Sequence, residues 1–521
     1  MSDSSRTYLT TPIYYATGDP HIGHAYTTFL ADTLARYHRQ TGARVRFLTG
    51  TDEHGQKIQE EATRRGVEPQ QLCDEMARRF KKAWEELDIE YDRFIRTTED
   101  EHRQVVRSFL RRLHERDLIY RDTYRGWYCV HEERYWTEKD ITPEGNCPDC
   151  HRPVREIEEQ NYFFRMSRFQ KDLIRHIEGH PGWIVPEVRR NEVLGFLQNP
   201  LSDLSISRPR HRVKWGIPLP FDEEHVTYVW VDALINYVTA SGAIHPGRPA
   251  EGEGFDDVTG SWWPADLHLI GKDILTTHAV YWPTLLLGVG LPLPRRILAH
   301  GWWTVGRDKM SKSLGNVVDP LALRDEFGTD AVRWYLMREM PTGGDASYTP
   351  ERFLIRYDEL ANVLGNLASR ATSMIARYRE GIVPAARGVG LAEEIESTLE
   401  SFHRSMLALK LHEALGAAMD LARLGNGYVE TREPWALAKD PDRADELDEV
   451  LASLHRGLVV LSALLFPVMP RKMRVLAQTL GLGGVPSLED AIAMKLEGIR
   501  VSKGDPLFPK AEKVRAEVGR V

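Results

Sequence analysis

Apolar positions near the N-terminus follow two patterns, one typical of buried strands and one typical of an amphipathic helix. Tyr8–Tyr15 and Val45–Gly50 are largely apolar runs with little alternation, which indicates strands covered on both faces. Between these runs, apolar residues recur at helical spacing, and Gly42 follows them as a natural stop. Those residues are Phe29, Leu30, Leu34 and Tyr37. Strands of this kind joined by a helix predict a parallel sheet with helices on both sides.

The strand pattern stops and then returns further along the chain. Cysteine, proline and glycine cluster between residues 120 and 215, so we predict an insertion there. Strand-like runs separated by helical stretches follow it, at Thr227–Trp230, Leu267–Ile270 and Ile297–His300. The expected fold class is α/β: a split, Rossmann-like, doubly wound parallel sheet with a small inserted domain.

The C-terminal part of the chain is leucine-rich at helical spacing. A stripe formed by Leu360, Val363, Leu364 and Leu367 begins it, and helical segments continue from Leu391 to Leu482. Turn signals stand at Gly425–Gly427 and Asp440–Asp442, so we predict an α-helical bundle. The predicted domains are 1–118 (first half of the sheet), 119–215 (insertion), 216–300 (second half), 301–350 (a connecting loop region), 351–505 (bundle) and 506–521 (tail).

Composition and charge narrow the class of protein. A hydrophobic content of 42% and a charged content of 28% are typical of a soluble globular chain. Met1–Tyr8 is polar, without an apolar signal segment, and the longest apolar run, Leu458–Met469, is too short to span a bilayer. We therefore expect a cytoplasmic protein.

The net charge of −8 does not indicate nucleic-acid binding, although RNA requires only local basic surface. Candidates for that surface are Arg208, Arg210, Arg212, Lys214, Arg471, Lys472 and Arg474.

The run Pro20-His21-Ile22-Gly23-His24 follows the first predicted strand and opens the first helix. Asp19 suits the N-cap of that helix. His21 and His24 are three residues apart, so both imidazoles project on one side of the helix start, where free N–H groups favour phosphate. Gly23 leaves room for a nucleotide against the backbone. Taken alone, the motif is equally compatible with an incidental pair of histidines.

A second motif, Asp308-Lys309-Met310-Ser311-Lys312-Ser313, lies in a loop bounded by Gly306 and Gly315. Two lysines in a hinged loop can close over a triphosphate and neutralise the charge that develops on leaving pyrophosphate. The alternative for this motif by itself is a solvated lysine loop.

Together the two motifs resemble the HIGH and KMSKS signatures of class I aminoacyl-tRNA synthetases, complete at 21–24 and 309–313 and in the family order. The resemblance implies adenylate formation: an amino acid carboxylate attacks the α-phosphate of ATP, pyrophosphate leaves, and a tRNA hydroxyl then accepts the acyl group. The implied catalytic residues are His21, His24, Lys309 and Lys312, with Mg²⁺ on the phosphates.

Further segments, from about Tyr8 to about Leu482, are similar to methionyl-tRNA synthetases. They are Thr10–Tyr15, Gly50–Gly55, Tyr228–Ala233, Ile270–Asp273 and Thr277–His278. This resemblance implies a methionine–tRNA ligase that charges tRNA(Met), including initiator tRNA, with residues 301–350 close to the tRNA stem.

The resemblance also assigns the amino acid site. It implies that the Asp52 carboxylate and the Ile13 carbonyl hold the α-ammonium group of L-methionine. The thioether would pack among Tyr15, Trp230, Ala233, Leu234, Tyr237, His278 and Trp282, because sulfur packs well against aromatic edges. Tyr237 or His278 would offer a weak hydrogen bond to that sulfur.

The resemblance also implies binding residues for ATP and for the tRNA anticodon. ATP would contact His21, Gly23, His24, Gly271, Asp273, Lys309 and Lys312, with Asp273 suited to the ribose hydroxyls. In the bundle, the CAU anticodon would be read by Asn366, Arg370 and Trp435. Amide and guanidinium groups read base edges, and indole stacks on an unpaired base.

Three of the four cysteines lie in one short region, which indicates a metal site in a protein without an export signal. Zinc knuckles of related enzymes carry two Cys-x-x-Cys or Cys-x-x-His halves. Here Cys147 and Cys150 complete one half, but Glu132 stands where the partner of Cys129 is expected. We predict one structural Zn²⁺ on three thiolates, completed by His131, which we favour, or by Glu132 or His151. The alternative is a knuckle that folds without metal.

Each alternative class of protein that we considered would show a sequence feature that this chain lacks, or would not need one that it has. A cysteinyl-tRNA synthetase would need a zinc-ligand cysteine near the first strand, where Pro12, Ile13 and Tyr14 stand. The isoleucine, leucine and valine enzymes carry a large editing insertion, for which the space between the motifs is too small. A small-molecule nucleotidylyltransferase would not need the bundle, and a non-catalytic relative would not need both motifs. We expect a monomer, because no further domain fits after the bundle.

Overall fold

Residues 6–115 form half of a parallel sheet with its covering helices. The protein is described by a computed structural model over residues 6–131, 133–136, 138–148, 150–244, 260–306, 308–309 and 318–511; Arg134, Asp308 and Lys309 are described by backbone only. The elements of this first region are β1 (Arg6–Thr10), β2 (Tyr14–Tyr15), α1 (Ile22–Gln40), β3 (Arg44–Asp52), α2 (Gln56–Arg65), α3 (Pro69–Glu86), β4 (Arg93–Arg96) and α4 (Asp100–Glu115).

Residues 119–227 contain an antiparallel sheet followed by two helices and short strands. These elements are β5 (Ile119–Cys129), β6 (Arg134–Trp136), β7 (Arg155–Phe164), α5 (Gln170–Gly179), β8 (Ile184–Val185), α6 (Glu187–Phe196), β9 (Leu204–Ser205), β10 (Ser207–Pro209) and β11 (His225–Thr227). β5 pairs with β6 and β7, and β7 pairs with β9, which gives the sheet order β6-β5-β7-β9.

Residues 229–348 return to alternating helices and strands. The elements are α7 (Val229–Ser241), β12 (Leu267–Gly271), a π-helical turn (Thr277–Tyr281), α8 (Trp282–Val289), β13 (Ile297–His300), β14 (Trp303–Val305), β15 (Asp308–Lys309), α9 (Pro320–Phe327), α10 (Thr329–Glu339) and β16 (Ala346–Tyr348). β14 pairs with β15 and β16 in a small separate sheet.

The remaining described residues form the predicted helical bundle. Its elements are α11 (Pro350–Glu359), a π-helical segment (Leu360–Gly365), α12 (Asn366–Tyr378), α13 (Ala392–Leu407), α14 (Leu411–Arg432), α15 (Pro434–Leu437), α16 (Ala444–Leu465), α17 (Pro470–Thr479) and α18 (Leu488–Ala493). Within the part of the chain that the structure describes, no helix has the length and apolar character needed to cross a membrane.

The main sheet is parallel throughout and confirms the predicted fold class. β1 lies at its centre, where Thr10 pairs with Leu48 of β3 on one side and with His268 of β12 on the other. β2 and β4 also pair with β3, and the opposite edge continues through β13 to β8. The predicted insertion at 119–215 is therefore not separate from the sheet, because β8 comes from within it and pairs with β13.

Two sequence-based expectations fail for local physical reasons. The predicted strand Thr227–Trp230 is wrong: β11 ends at Thr227, and α7 begins at Val229. The turn predicted at Gly425–Gly427 is also wrong, since both glycines lie inside α14. Gly425 instead lets α12 approach closely, because a Cβ there would lie 2.9 Å from Cδ2 of Leu367.

A buried ionic cluster joins the bundle to α1. Asp32 of α1 accepts hydrogen bonds from Arg36 at 2.8 Å and from Arg333 of α10 at 2.5 Å. Arg333 also donates to the carbonyl oxygen of Val468, just before α17, at 2.7 Å. Since all three charged side chains are buried, the helix that opens the predicted phosphate site is fixed against the bundle.

Candidate active site

A cleft of about 990 Å³ opens at the carboxyl ends of the parallel strands, which is where open α/β sheets bind ligands. Its volume is at the upper end of the range for small-molecule sites. Most of the predicted substrate-binding residues line it: Ile13, Tyr15, His21, Gly23, His24, Asp52, Trp230, Ala233, Leu234, Tyr237, Gly271, Asp273 and His278.

The two motif histidines cap their own helix. Nδ1 of His21 accepts from the Gly23 N–H at 3.1 Å, and Nδ1 of His24 accepts from the His21 N–H at 3.3 Å. His21, and not Asp19, is therefore the N-cap; Asp19 pairs with Arg79 at 2.9 Å. A neutral imidazole that accepts at Nδ1 carries its proton on Nε2. The two rings are stacked with centroids 3.8 Å apart, and each carries an Nε2 N–H donor of the kind that binds phosphate oxygens.

Gly23 makes this capping possible. A Cβ at Gly23 would lie 2.9 Å from Cε1 of His21, so a side chain there would displace the capping ring. The sequence predicted that Gly23 leaves room for a nucleotide against the backbone. In the structure, the His21 ring occupies the space beside Gly23.

Asp52 also lines the cleft, and its carboxyl group is buried. It ends β3 and is 3% exposed, and its Oδ1 has no hydrogen-bond partner among the described residues. Burial and then the neighbouring Asp232 and Glu133 carboxylates raise the pKa of Asp52 well above its usual value. This oxygen can accept a hydrogen bond from a cationic group in the cleft, which would favour the ionised form of Asp52.

The predicted thioether pocket forms a largely apolar wall beside Asp52. Trp230 donates from Nε1 to the hydroxyl of Tyr15 at 2.9 Å, which fixes both rings. Trp282 requires a correction: it is fully buried behind the wall, where its ring stacks on Phe109 and its Nε1 donates to His268 at 3.3 Å. Trp282 therefore supports the pocket without lining it.

The hydrogen bonds of Tyr237 and His278 also correct an expectation. Burial lowers the pKa of His278 to about 4, so its ring is neutral at neutral pH. Its Nδ1 proton goes to the Ile274 carbonyl at 2.9 Å, and its Nε2 accepts the Tyr237 hydroxyl proton at 2.8 Å. Neither side chain retains a proton for sulfur, so a thioether would be recognised by packing.

Sequence reasoning did not assign several residues to the cleft, among them Lys57, Lys272, His300 and Trp302, and it gave His131 to the metal site instead. Lys272 stands inside the Ile270–Asp273 run and pairs with Asp345 at 2.7 Å. His300 ends β13, so the rule that ligands bind at the carboxyl ends of strands would have pointed to it.

The KMSKS motif lies mostly outside the described residues. The backbone of Lys309 belongs to β15, which pairs antiparallel with β14; Lys312 is outside the described part of the chain.

The three predicted anticodon residues occur on adjoining elements of the bundle. Asn366 donates to Asn426 of α14 at 3.0 Å, and Arg370 pairs with Glu430 of α14 at 2.6 Å. Trp435 is 39% exposed and follows Pro434 at the start of α15, as predicted. Because 366 and 370, like 426 and 430, are one helical turn apart, the two helices present a continuous polar edge that ends near α15.

The cysteine cluster forms as predicted, but without His131. The sulfur atoms of Cys129, Cys147 and Cys150 all lie within 4.8 Å of one another, and those of Cys129 and Cys150 are 3.5 Å apart. Tetrahedral zinc would hold thiolates about 3.8 Å apart, so the spacing fits. Among the described residues no histidine joins the group: the β5–β6 turn directs His131 into the cleft. Glu132 lies outside the described residues.

The β5–β6 turn has a second link to the cleft. Glu133 accepts the Lys57 N–H at 3.1 Å and so caps α2, which has Gly55 as N-cap. Gly55 is required there, since its φ is 101° and a Cβ would lie 2.6 Å from the Glu133 carboxylate. Arg208, which was a candidate for basic RNA-binding surface, is also buried nearby, 4.1 Å from the ring of Tyr228.

Comparison with known proteins agrees with this geometry. A family model described as "tRNA synthetases class I (M)" matches residues 7–156 and 153–372. Methionine--tRNA ligase of Thermotoga maritima is 43% identical over 518 residues, which cover 97% of this chain and 80% of that protein. Methionyl-tRNA synthetase of Mycobacterium tuberculosis in complex with methionyl-adenylate is 39% identical and superposes with a TM-score of 0.91, covering 97% of this chain and 100% of that one. Its free form is 36% identical with a TM-score of 0.84, covering 97% and 98%. The chain therefore belongs to the class I aminoacyl-tRNA synthetases, in the methionyl-tRNA synthetase family.

Proposed function

We propose that this protein activates L-methionine with ATP to methionyl-adenylate and then transfers methionine to the 3′ end of tRNA(Met), including initiator tRNA. One observation carries the proposal: a single cleft holds an unpartnered buried carboxylate oxygen at Asp52 and the helix start that presents His21 and His24. The first group suits an ammonium and the second suits phosphates. An amino acid and a nucleotide are thereby held side by side.

Each substrate group then has residues that fit it. The α-ammonium group lies between Asp52 and the Ile13 carbonyl, and the thioether packs against Tyr15 and Trp230. His21 and His24 donate to the phosphates, and Asp273 faces the ribose. Lys309 and Lys312 stabilise the negative charge that develops on the leaving pyrophosphate. Mg²⁺ enters on the ATP phosphates as part of the substrate.

The anticodon end of the proposal rests on the bundle. We assign base-edge recognition to Asn366 and Arg370 and stacking to Trp435.

Charging of methionine tRNAs takes place where proteins are made, so we assign the enzyme to the cytoplasm. A monomer stays the expectation, and light scattering tests it directly.

Charging with two matched tRNAs tests the whole function. Transcripts with the same body carry either a CAU or a GAU anticodon, and attachment of labelled methionine is measured with ATP present. We expect charging of the CAU transcript and background charging of the GAU transcript. Equal charging of both would overturn the anticodon assignment, and charging of neither would overturn the function.

We further propose that the cysteine cluster holds one Zn²⁺, because three clustered thiolates are typical zinc ligands. Cys129, Cys147 and Cys150 supply three ligands. Glu132 supplies the fourth, or His151 does once its ring turns toward the sulfur atoms, since no described histidine lies in the group as it stands. Bound zinc would fix the β5–β6 turn that carries His131 to the cleft and Glu133 to the start of α2.

Elemental analysis of protein never exposed to chelator tests the zinc site. We expect about one equivalent per chain, as a closed structural site binds its ion tightly, and a large loss in Cys147→Ser. Glu132→Ala and His151→Ala then identify the fourth ligand, since the true one loses zinc and the other retains it. Trace zinc in the wild type would contradict the site.

A further inference from the structure

A buried Asp232 lies behind the cleft with both of its carboxylate oxygens in use. Oδ2 is 2.7 Å from Nδ1 of His54, and Oδ1 is 2.7 Å from Nε2 of His102. All three side chains are at most 3% exposed. An ionised carboxylate only accepts, so both imidazoles donate to it. Burial alone would raise the pKa of Asp232, but His54 and then His102 lower it to about 2, so the group is charged.

α7, which carries Asp232, has two opposite faces with different tasks. Trp230, Ala233, Leu234 and Tyr237 recur at helical spacing and line the cleft. At about 100° per residue, Asp232 and Thr239 lie on the far side of α7 from that stripe. His102 of α4 contacts both of them, since its Nδ1 is 3.0 Å from Oγ1 of Thr239. α4 therefore fixes the rotation of α7 about its own axis.

His54 links the same carboxylate to the amino-group site. It follows Asp52 by two residues, immediately beyond β3. The His54–Asp232 hydrogen bond thus joins the strand end that offers the ammonium acceptor to the helix that offers the side-chain pocket. This hydrogen bond spans the distance along which an amino acid would lie in the proposed site.

We propose that Asp232, held by His54 and His102, is a positioning residue that fixes the separation between the amino-group site at Asp52 and the side-chain pocket on α7. It thereby sets the length of side chain that the enzyme accepts. This inference rests on the proposed methionine activation, because it assumes that Asp52 and α7 bind the two ends of one amino acid.

A pair of substitutions at His54 separates positioning from general stability. In His54→Asn the amide nitrogen replaces Nδ1 as a donor to Asp232, whereas His54→Leu removes the donor. ATP–pyrophosphate exchange is measured with methionine and with its longer S-ethyl homologue, ethionine. For His54→Leu we expect the methionine KM to rise about tenfold, or about 1.4 kcal/mol, with the ATP KM nearly unchanged. For His54→Leu we also expect the methionine-to-ethionine ratio of kcat/KM to fall. His54→Asn should keep most of the wild-type affinity for methionine and most of the discrimination against ethionine.

Two further variants keep the test decisive. Thr239→Val keeps the size of the side chain, folds with less disruption, and should shift the methionine KM in the same direction by less. Asp330→Asn removes a buried carboxylate whose Oδ2 accepts the Lys472 N–H far along the chain, at 2.5 Å, and should leave discrimination unchanged.

The outcomes distinguish the inference from the function on which it rests. If wild-type protein shows no methionine-dependent exchange, the proposed function fails. If the wild type is active but His54→Leu and Thr239→Val keep the methionine-to-ethionine ratio, or raise the ATP KM equally, only the positioning role is overturned.

Discussion

At the scale of single residues, sequence reasoning found the chemical groups better than their hydrogen bonds. The spacing of His21 and His24 predicted a phosphate site at a helix start, and both line the cleft. The sequence did not show that these imidazoles cap the helix themselves. Aspartate is a preferred N-cap residue type, so the pattern favoured Asp19 for that position. Likewise, only the structure shows that the Tyr237 hydroxyl donates to His278 and that His278 donates to the Ile274 carbonyl.

Asp52→Asn tests the amino-group site. The amide keeps the size of the side chain but removes the charge that faces the substrate ammonium. Loss of one partner of a buried charge pair costs about 3 kcal/mol, so we expect the methionine KM to rise about a hundredfold. Steady-state exchange measures it, and the ATP KM in the same protein is the control. A methionine KM within a factor of about three of the wild type would exclude Asp52 as the acceptor.

At the scale of helices and strands, the apolar pattern predicted some elements correctly and misassigned others. The long α1 and the short β13 both occur where the pattern indicated: α1 buries every residue from Ala25 to Tyr37, and β13 buries all four of its residues. The run at Thr227–Trp230 misled, since a short apolar segment has the same pattern in a strand and in a buried helix. α7 buries eleven of its thirteen residues, so alternation cannot distinguish the two.

Gly425 and Gly427 form a matched pair for testing helix packing in α14. A Cβ at Gly425 meets Leu367 of α12, whereas a Cβ at Gly427 meets no atom within 4 Å. Alanine improves an exposed helix position by about 1 kcal/mol, so Gly427→Ala should raise the free energy of unfolding. Gly425→Ala should be less stable than Gly427→Ala by about 1–2 kcal/mol because of overpacking.

Denaturant unfolding of the two variants measures this difference. Equal stabilisation by both substitutions would show that α12 and α14 are not in close contact at Gly425.

At the scale of the whole molecule, the sequence predicted the order of the parts but not their connections. The insertion gives β8 to the main sheet and Glu133 to the start of α2. Arg333 joins α10 to α1 and to the bundle. These contacts join residues far apart in the chain, and a single sequence carries no periodic signal for them.

The separation of the bundle from the cleft leads to a prediction for Trp435→Ala. Stacking of a base on indole contributes about 1–3 kcal/mol, so kcat/KM for tRNA should fall about 10- to 100-fold. Methionine-dependent exchange should stay at the wild-type rate, since Trp435 is not among the cleft residues. Leu424→Ala, which removes an exposed apolar side chain from α14, is the control. An equal loss in both variants would argue against stacking.

ATP–pyrophosphate exchange with each standard amino acid in turn tests the central claim most directly, because it reports adenylate formation without tRNA. We predict exchange with methionine and background rates with the other amino acids. Exchange supported by a different amino acid, with none supported by methionine, would contradict the account.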